Sequence, residues 1–287
     1  MNFDWIVDSV TYSISDKTNF RLLKHQGLIY PPLHRLSQRG PQQDGDTDVG
    51  YRLDPRIITL KIGIYGSNLE DFYETRSLLS RIFKPTITAR KLLLTLGTTK
   101  RQIDCHCLEI AEGNRSHLWE EYGISLKAND PTFYDPEIEE VYFELGGGSN
   151  TLKVPMEVPM LVGTANLNVI KAITYQGDED TYPIIYIYGP ITDPIITNTT
   201  IDEKLDFTGI TIGAGSWYKI DTRYSQKTVE DENGDNVIDE LTNDSDIAGF
   251  KISSETVGGV NSFTVTGTSV DENTNIKIEY YTRFTGV

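Results

Sequence analysis

The sequence predicts a mainly β protein carrying one sizeable helix, on three observations. Apolar and polar residues alternate through several short runs, the period of a half-buried strand. Tyr, Thr, Ile and Val favour sheet and are abundant, with 16 tyrosines alone. A single stretch carries apolar residues at helical spacing.

Along the chain, residues 31–50 run from Pro31-Pro32 through Gly40-Pro41 to Gly45 and Gly50. They are polar and rich in breakers, and they predict a long loop or a protruding hairpin. Ile58, Leu60, Ile62 and Ile64 then alternate with Thr59, Lys61 and Gly63 as a strand. From 68 to 83, Leu69, Phe72, Tyr73, Leu79, Ile82 and Phe83 recur as one face of a helix. Asn68 is its expected N-cap, Glu70 and Asp71 suit the positive end of its dipole, and Pro85 stops it. Tyr122, Ile124 and Leu126 mark another strand. Gly146-Gly147-Gly148-Ser149 and the spaced prolines 155 and 159 form a connection with an extended course. Beyond it, short strands separated by Gly, Asn and Asp turns predict a sandwich or jelly roll, clearest at Phe263 and Val265 and at Ile276, Ile278 and Tyr280. The expected organisation is a first domain at 1–145, a linker at 146–165 and a second domain at 166–287.

Composition narrows the function. The 42 acidic and 26 basic side chains leave a net charge of −16. Residues 176–287 hold 20 of the acidic and 7 of the basic side chains, so the excess is concentrated there. Such a surface repels phosphate backbones, and specific nucleic-acid binding is not expected. No run reaches the ~20 apolar residues that cross a bilayer. The start Met1-Asn2-Phe3-Asp4-Trp5 lacks the basic, apolar character of a signal peptide. With cysteines only at 105 and 107, the expected setting is a reducing cytoplasm without a disulfide scaffold.

Reactive constellations are sparse. Cys105-His106-Cys107 places two sulfurs on one face of a strand and the imidazole on the other, and His25, His34 and His117 supply no second cluster for zinc. Asp231-Glu232-Asn233-Gly234-Asp235-Asn236 looks like the start of a calcium loop. Positions 6 and 12 of that loop are Asn236 and Thr242 where Gly and Glu are needed. Asn233-Gly234 instead predicts a hairpin turn between strand-like runs at 226–230 and 236–241, while the carboxylate density leaves another type of calcium site open. No nucleophile elbow, phosphate loop or triad stands out, so no catalytic, cofactor or metal site is assigned and the chain is not read as an enzyme. Two carboxylates suffice for a glycosidase, so composition alone does not exclude one. Tyr186, Tyr188, Trp217 and Tyr218 would stack on sugar rings if exposed, which makes a carbohydrate-binding sandwich for host cell-wall attachment the alternative reading; core packing is the plainer role.

A series of blocks in order carries a resemblance. It begins with Arg39-Gly40 through Gly45 and Arg52-Leu53-Asp54-Pro55-Arg56, then the helix with Arg76-Ser77-Leu78-Leu79. Trp119 and Asn129-Asp130-Pro131-Thr132-Phe133-Tyr134-Asp135 follow. Tyr175-Gln176-Gly177-Asp178, Tyr188-Gly189-Pro190, Pro194-Ile195-Ile196 and Tyr280-Tyr281-Thr282-Arg283-Phe284 complete it. In this order the chain resembles the distal tail protein (Dit) family of siphophages, without the inserted carbohydrate-binding modules of larger relatives. The resemblance implies an N-terminal split β-barrel-like domain with one α-helix and a C-terminal galectin-like β-sandwich. It implies a structural protein forming a homo-oligomeric ring of six copies at the virion tail tip, after assembly in the host cytoplasm. The implied partners are the tail tube protein and the tail-tip or baseplate hub (tail-associated lysin) protein, with DNA only transiting the channel and no membrane insertion. The subunit interface is then expected at Arg39, Gly40, Gln42, Gln43, Asp44, Gly45, Arg52 and Arg56.

Overall fold

The computed structural model describes residues 2–14, 20–144 and 165–287. The protein is mainly β, with one α-helix among the described residues, and it divides into two units. No helix of the described residues is long and apolar enough to cross a membrane.

The first unit comprises Met1–Pro136 and Arg283–Val287. Its elements are β1 (Asn2–Val7), β2 (Val10–Ser13), β3 (Phe20–Gln26), β4 (Leu33–Gln38), β5 (Thr47–Leu53), β6 (Arg56–Tyr65), α1 (Leu69–Ile82), β7 (Arg90–Leu96), β8 (Thr99–Ser116), β9 (Trp119–Ala128) and β10 (Phe133–Tyr134). The main sheet runs β2-β1-β7-β8-β9-β6-β3, all antiparallel. β8 holds it together: its first half pairs with β7 up to Cys105, and its second half pairs with β9 from His106 onward. The two halves of the sheet therefore bury Phe3, Trp5 and Leu94 on one side and Leu60, Ile62, Ile64 and Ile124 on the other in a single core, which α1 joins through Phe72, Leu79 and Ile82.

The helix is set by local chemistry. The Asn68 side chain accepts a bond from Asp71 N at 2.9 Å, satisfying one of the free N–H groups of the first turn. At its other end the Trp5 indole donates to Ile82 O at 2.8 Å and stacks on Phe83. On its flank Arg76 meets Glu112 at 2.6 Å and approaches Glu120, whose carboxylate accepts from the Tyr122 hydroxyl at 2.6 Å. Burial and that neighbouring carboxylate push the Tyr122 hydroxyl well above its usual range, so it stays a donor.

The second unit, Glu137–Thr282, has two five-stranded sheets. Its strands are β11 (Glu139–Glu144), β12 (Ala165–Thr174), β13 (Ile184–Tyr188), β14 (Ile191–Asn198), β15 (Glu203–Asp206), β16 (Thr211–Ile212), β17 (Trp217–Asp221), β18 (Thr228–Glu230), β19 (Val260–Val270) and β20 (Asn275–Tyr280). One sheet runs β11-β20-β13-β17-β18; the other runs β12-β19-β14-β15, with β16 on β14. Alternate residues of both sheets, such as Ile185, Ile187 and Ile278 from one and Ile196, Phe263 and Val265 from the other, enter one shared core.

Three expectations need correction, and a fourth falls almost wholly outside the described residues. The boundary expected at 145 falls earlier, because Glu139–Glu144 pairs residue for residue with β20 and so belongs to the second unit. The chain end does not stay with the second unit either: β21 (Arg283–Phe284) pairs with β10, so the second unit is inserted into the first. The expected linker 146–165 lies outside the described residues except for Ala165, which begins β12. Asn233-Gly234 does form the predicted turn, with Gly234 N bonded to Asp231 O and Gly234 at φ 84°, but the run 236–241 is no strand. It makes one bridge, Asn236 to Glu230, and then a 3-10 turn at Ile238–Glu240.

Candidate interaction surface

β4 and β5 form an arm between β3 and β6 and pair only with each other. Its tip is a turn from Gly40 to Gln43, closed by Gln43 N on Gly40 O. Pro41 suits the second position of such a turn, and Gln42 takes the third in the left-handed region at φ 65°. The remaining tip bonds are local: Gly40 N donates to Gln43 Oε1 at 2.9 Å, Gln43 Nε2 to Thr47 Oγ1 at 2.8 Å, and Arg39 Nε to Gln43 O at 3.2 Å. Along the stem Arg35 meets Asp48 at 2.7 Å, and Arg52 lies 3.5 Å from Asp54. Such exposed pairs add little stability.

The arm is fixed at its root. Asp54 N bonds Pro32 O at 2.8 Å, closing the base. Below it, Arg56 is fully buried, and its guanidinium donates to the carbonyls of Gly27 (2.9 Å), Pro131 (2.7 Å) and Thr285 while lying 4.6 Å from the Phe133 ring centroid. Burial pulls its pKa down to about 10, which leaves it charged at neutral pH. Gly27 sits at φ +85°, and a Cβ there would come within 2.1 Å of Ile57 O, so the chain can leave β3 only through a glycine. The tail is pinned beside this point: Arg283 Nη2 donates to both Asp130 oxygens at 2.7 Å and to Thr132 Oγ1, and Phe284 lies under the Arg101 guanidinium at 3.4 Å.

The structure thus brings Arg39, Gly40, Gln42, Gln43, Asp44 and Gly45 together at the arm tip and places Arg52 exposed on β5. Arg56 is the exception. With none of its surface open, it cannot face a neighbouring molecule, and its role is to hold the arm's root. Sequence reasoning missed the arm's apolar content. Leu33, Leu36, Val49 and Tyr51 are exposed on the arm, and Ile29 and Tyr30, at 68% and 75%, are exposed just before its root. The signal was available as aliphatic and aromatic side chains inside a stretch otherwise rich in breakers.

The other candidates fall elsewhere. Cys105 is buried at the point where β8 changes partner, and burial pushes its thiol well up; Cys107 is half-buried and shifted the same way. Among the described residues no group of three or more His, Cys, Asp or Glu could hold a metal. Asp231 spends its carboxylate on Asn233 and on Asp235 N inside its own turn. Tyr218 packs into the second core against Phe207, whereas Tyr186, Tyr188 and Trp217 share the opposite face of the sheet.

Comparison with known proteins agrees with this architecture. Residues 7–126 match the family described as the phage tail protein RIFT-related domain. The crystal structure of SPP1 Dit (gp 19.1), described as a paradigm of the hub adsorption apparatus in phages infecting Gram-positive hosts, superposes with a TM-score of 0.67 at 12% identity, covering 98% of this chain and 99% of that one. Chains of the phage P2 baseplate in its activated conformation match over 97% of both lengths, with TM-scores of 0.51 (with Ca, 10% identity) and 0.50 (with Sr, 11% identity). No curated protein matches by sequence. Residues 7–126, within the first unit, thus match a phage tail protein RIFT-related domain, and the chain as a whole shares the fold of SPP1 Dit.

Proposed function

We propose that this chain is the distal tail structural protein of a long-tailed bacteriophage, whose copies close into a six-membered ring through the β4–β5 arm. The observation that carries this reading is the arm itself. It has two free strand edges and four exposed apolar side chains, Leu33, Leu36, Val49 and Tyr51, with Ile29 and Tyr30 exposed just before its root. A two-stranded hairpin is marginal by itself, and open edges with apolar side chains favour pairing with another chain. In this reading the occupant is a second copy of the chain. Arm-to-body contact joins two different surfaces, and such a heterologous contact closes into a ring when its rotation allows. In this reading the expected tip residues, Arg39 to Gly45 and Arg52, lie in the subunit contact. The ring joins the tail tube protein to the tail-tip hub or tail-associated lysin protein at the virion tail tip, is assembled in the host cytoplasm and lets DNA pass without specific binding. The first unit acts as the split barrel of the ring and the second as a galectin-like sandwich. No catalytic step, cofactor or metal is assigned to either.

Native mass spectrometry of the full chain at micromolar concentration tests the proposal. The wild type is expected as a hexamer. Replacing residues 38–49 with a short Gly-Ser turn is expected to give a monomer whose two units unfold as before. A wild type that stays monomeric, or a ring that survives loss of the arm tip, overturns it.

A further inference from the structure

The outer face of the sheet β11-β20-β13-β17-β18 carries a cluster of aromatic and polar side chains remote in sequence from the β4–β5 arm. Cross-strand register lines up Tyr142, Lys277, Tyr186, Lys219 and Glu230 in one row, and Asn275, Tyr188 and Trp217 in the next. The rings form a continuous step. Tyr186 and Tyr188 lie 6.2 Å apart within 13° of parallel, and Trp217 is 6.3 Å from Tyr186. At the end of this face an open cleft of about 730 Å³ is lined by Tyr142, Tyr188, Ser216, Asn273, Asn275 and Lys277. Asn275 Oδ1 is buried there with no hydrogen-bond partner. Ala214 and Gly215, both exposed, complete the cleft's lining on that side.

We infer that this cleft is a binding site for a neutral oligosaccharide. The ligand class follows from what the cleft lacks and what it offers. A pyranose presents an apolar C–H face to an aromatic ring and hydroxyls at its edge; the tyrosine rings suit the first, and the amides of Asn273 and Asn275 suit the second. The unpartnered Asn275 oxygen needs a donor, which a sugar hydroxyl supplies and a hydrocarbon does not. A polyanionic glycan is disfavoured, because Lys277, the one cation among the described residues lining the cleft, is already occupied: it contacts Glu279, lies 3.8 Å from Glu140 and sits over the Tyr186 ring. Ser216 is likewise bonded to Glu232 at 2.8 Å, adding a carboxylate near the rim. The inference stands on the second unit alone and does not depend on the arm or on ring formation.

Calorimetric titration of the full chain tests it. The probes are soluble oligomers of glucose, galactose, rhamnose and N-acetylglucosamine, with poly(glycerol phosphate) as the anionic arm. At least one neutral oligomer is expected to bind, and Tyr188→Ala is expected to weaken it by about tenfold or more. Ala214→Trp, a change at an exposed wall position that fills the cleft without touching the sheet core, is expected to do the same, which keeps the test valid if Tyr188→Ala fails to fold. Binding of none of the neutral oligomers at millimolar concentration, binding of the anionic polymer alone, or binding unmoved by Ala214→Trp overturns the inference. The oligomeric state of these variants is measured alongside. Loss of the ring in Ala214→Trp without any wild-type glycan binding reassigns the face to subunit contact.

Discussion

The Arg56 guanidinium ties together carbonyls from three distant parts of the chain, Gly27, Pro131 and Thr285, beneath the root of the arm. A buried charge is tolerated when its donors are all used, and removing it strands its acceptors in a dry site. Arg56→Met is expected to destabilise the first unit by about 3 kcal/mol or more, read as a lower urea midpoint for that unit with the second unaffected. The sequence shows an arginine after Asp54-Pro55, next to a breaker-rich stretch, and a surface role is the natural reading. Nothing local says that residues 27, 131 and 285 converge on it. Gly63 makes the same point in the opposite sense: it reads as the polar member of an alternation, yet it is there because the Trp119 indole lies 2.0 Å from where a Cβ would sit.

Among elements, α1 is the most local and the most legible. Its face, its Asn68 cap and its stop before Pro85 follow from spacing and side-chain chemistry, and the helix forms at Leu69–Ile82 as expected. Asn68→Ala is expected to cost about 1 kcal/mol, measured as a shift in thermal midpoint, with Asn68→Asp retaining most of it. Strands with one buried face are nearly as legible, since period-2 alternation fixes which side faces the core; β6, β9, β19 and β20 all follow it. β8 was not legible in this way. Its 18 residues serve two partners in turn, and the change at Cys105–His106 comes from the need to wrap one sheet around one core. The arm's existence could be read from its Gly and Pro residues, whereas its apolar surface waits on a partner outside the single chain.

At the scale of the whole molecule, the acidic excess lies mainly in the second unit, and several of its carboxylates are held by specific bonds. Burial alone would raise Asp180, but bonds from Lys251 at 2.6 Å and from Ser254 outweigh it and hold it below the usual carboxylate range. Asp221 follows the same pattern, burial opposed by the Arg223 fork at 2.6 Å. A carboxylate with a depressed folded-state pKa contributes stability above its unfolded value near pH 4 and loses it as pH falls through the folded value. Wild type is therefore expected to be more stable than Asp180→Asn at pH 6, with the difference shrinking as pH falls below about 4, as followed by thermal melts of the second unit. Glu203, raised by burial and by Asp246 and Asp202, works in the opposite direction and softens the wild-type acid transition.

What the sequence determined alone is what depends on near neighbours: the β class, the helix at Leu69–Ile82, the turn at Asn233-Gly234, and an ordered set of blocks resembling distal tail proteins. What only the tertiary structure decided is everything that depends on convergence. The second unit is an insertion because five C-terminal residues return to pair with β10 and to dock on Asp130, Thr132 and Arg56. The tyrosines of β13 became a surface and Tyr218 became core because the register of β17 set them on opposite faces. Local spacing sets the face of each element, but which faces meet is set by burial over the whole chain, and that sum cannot be taken one window at a time.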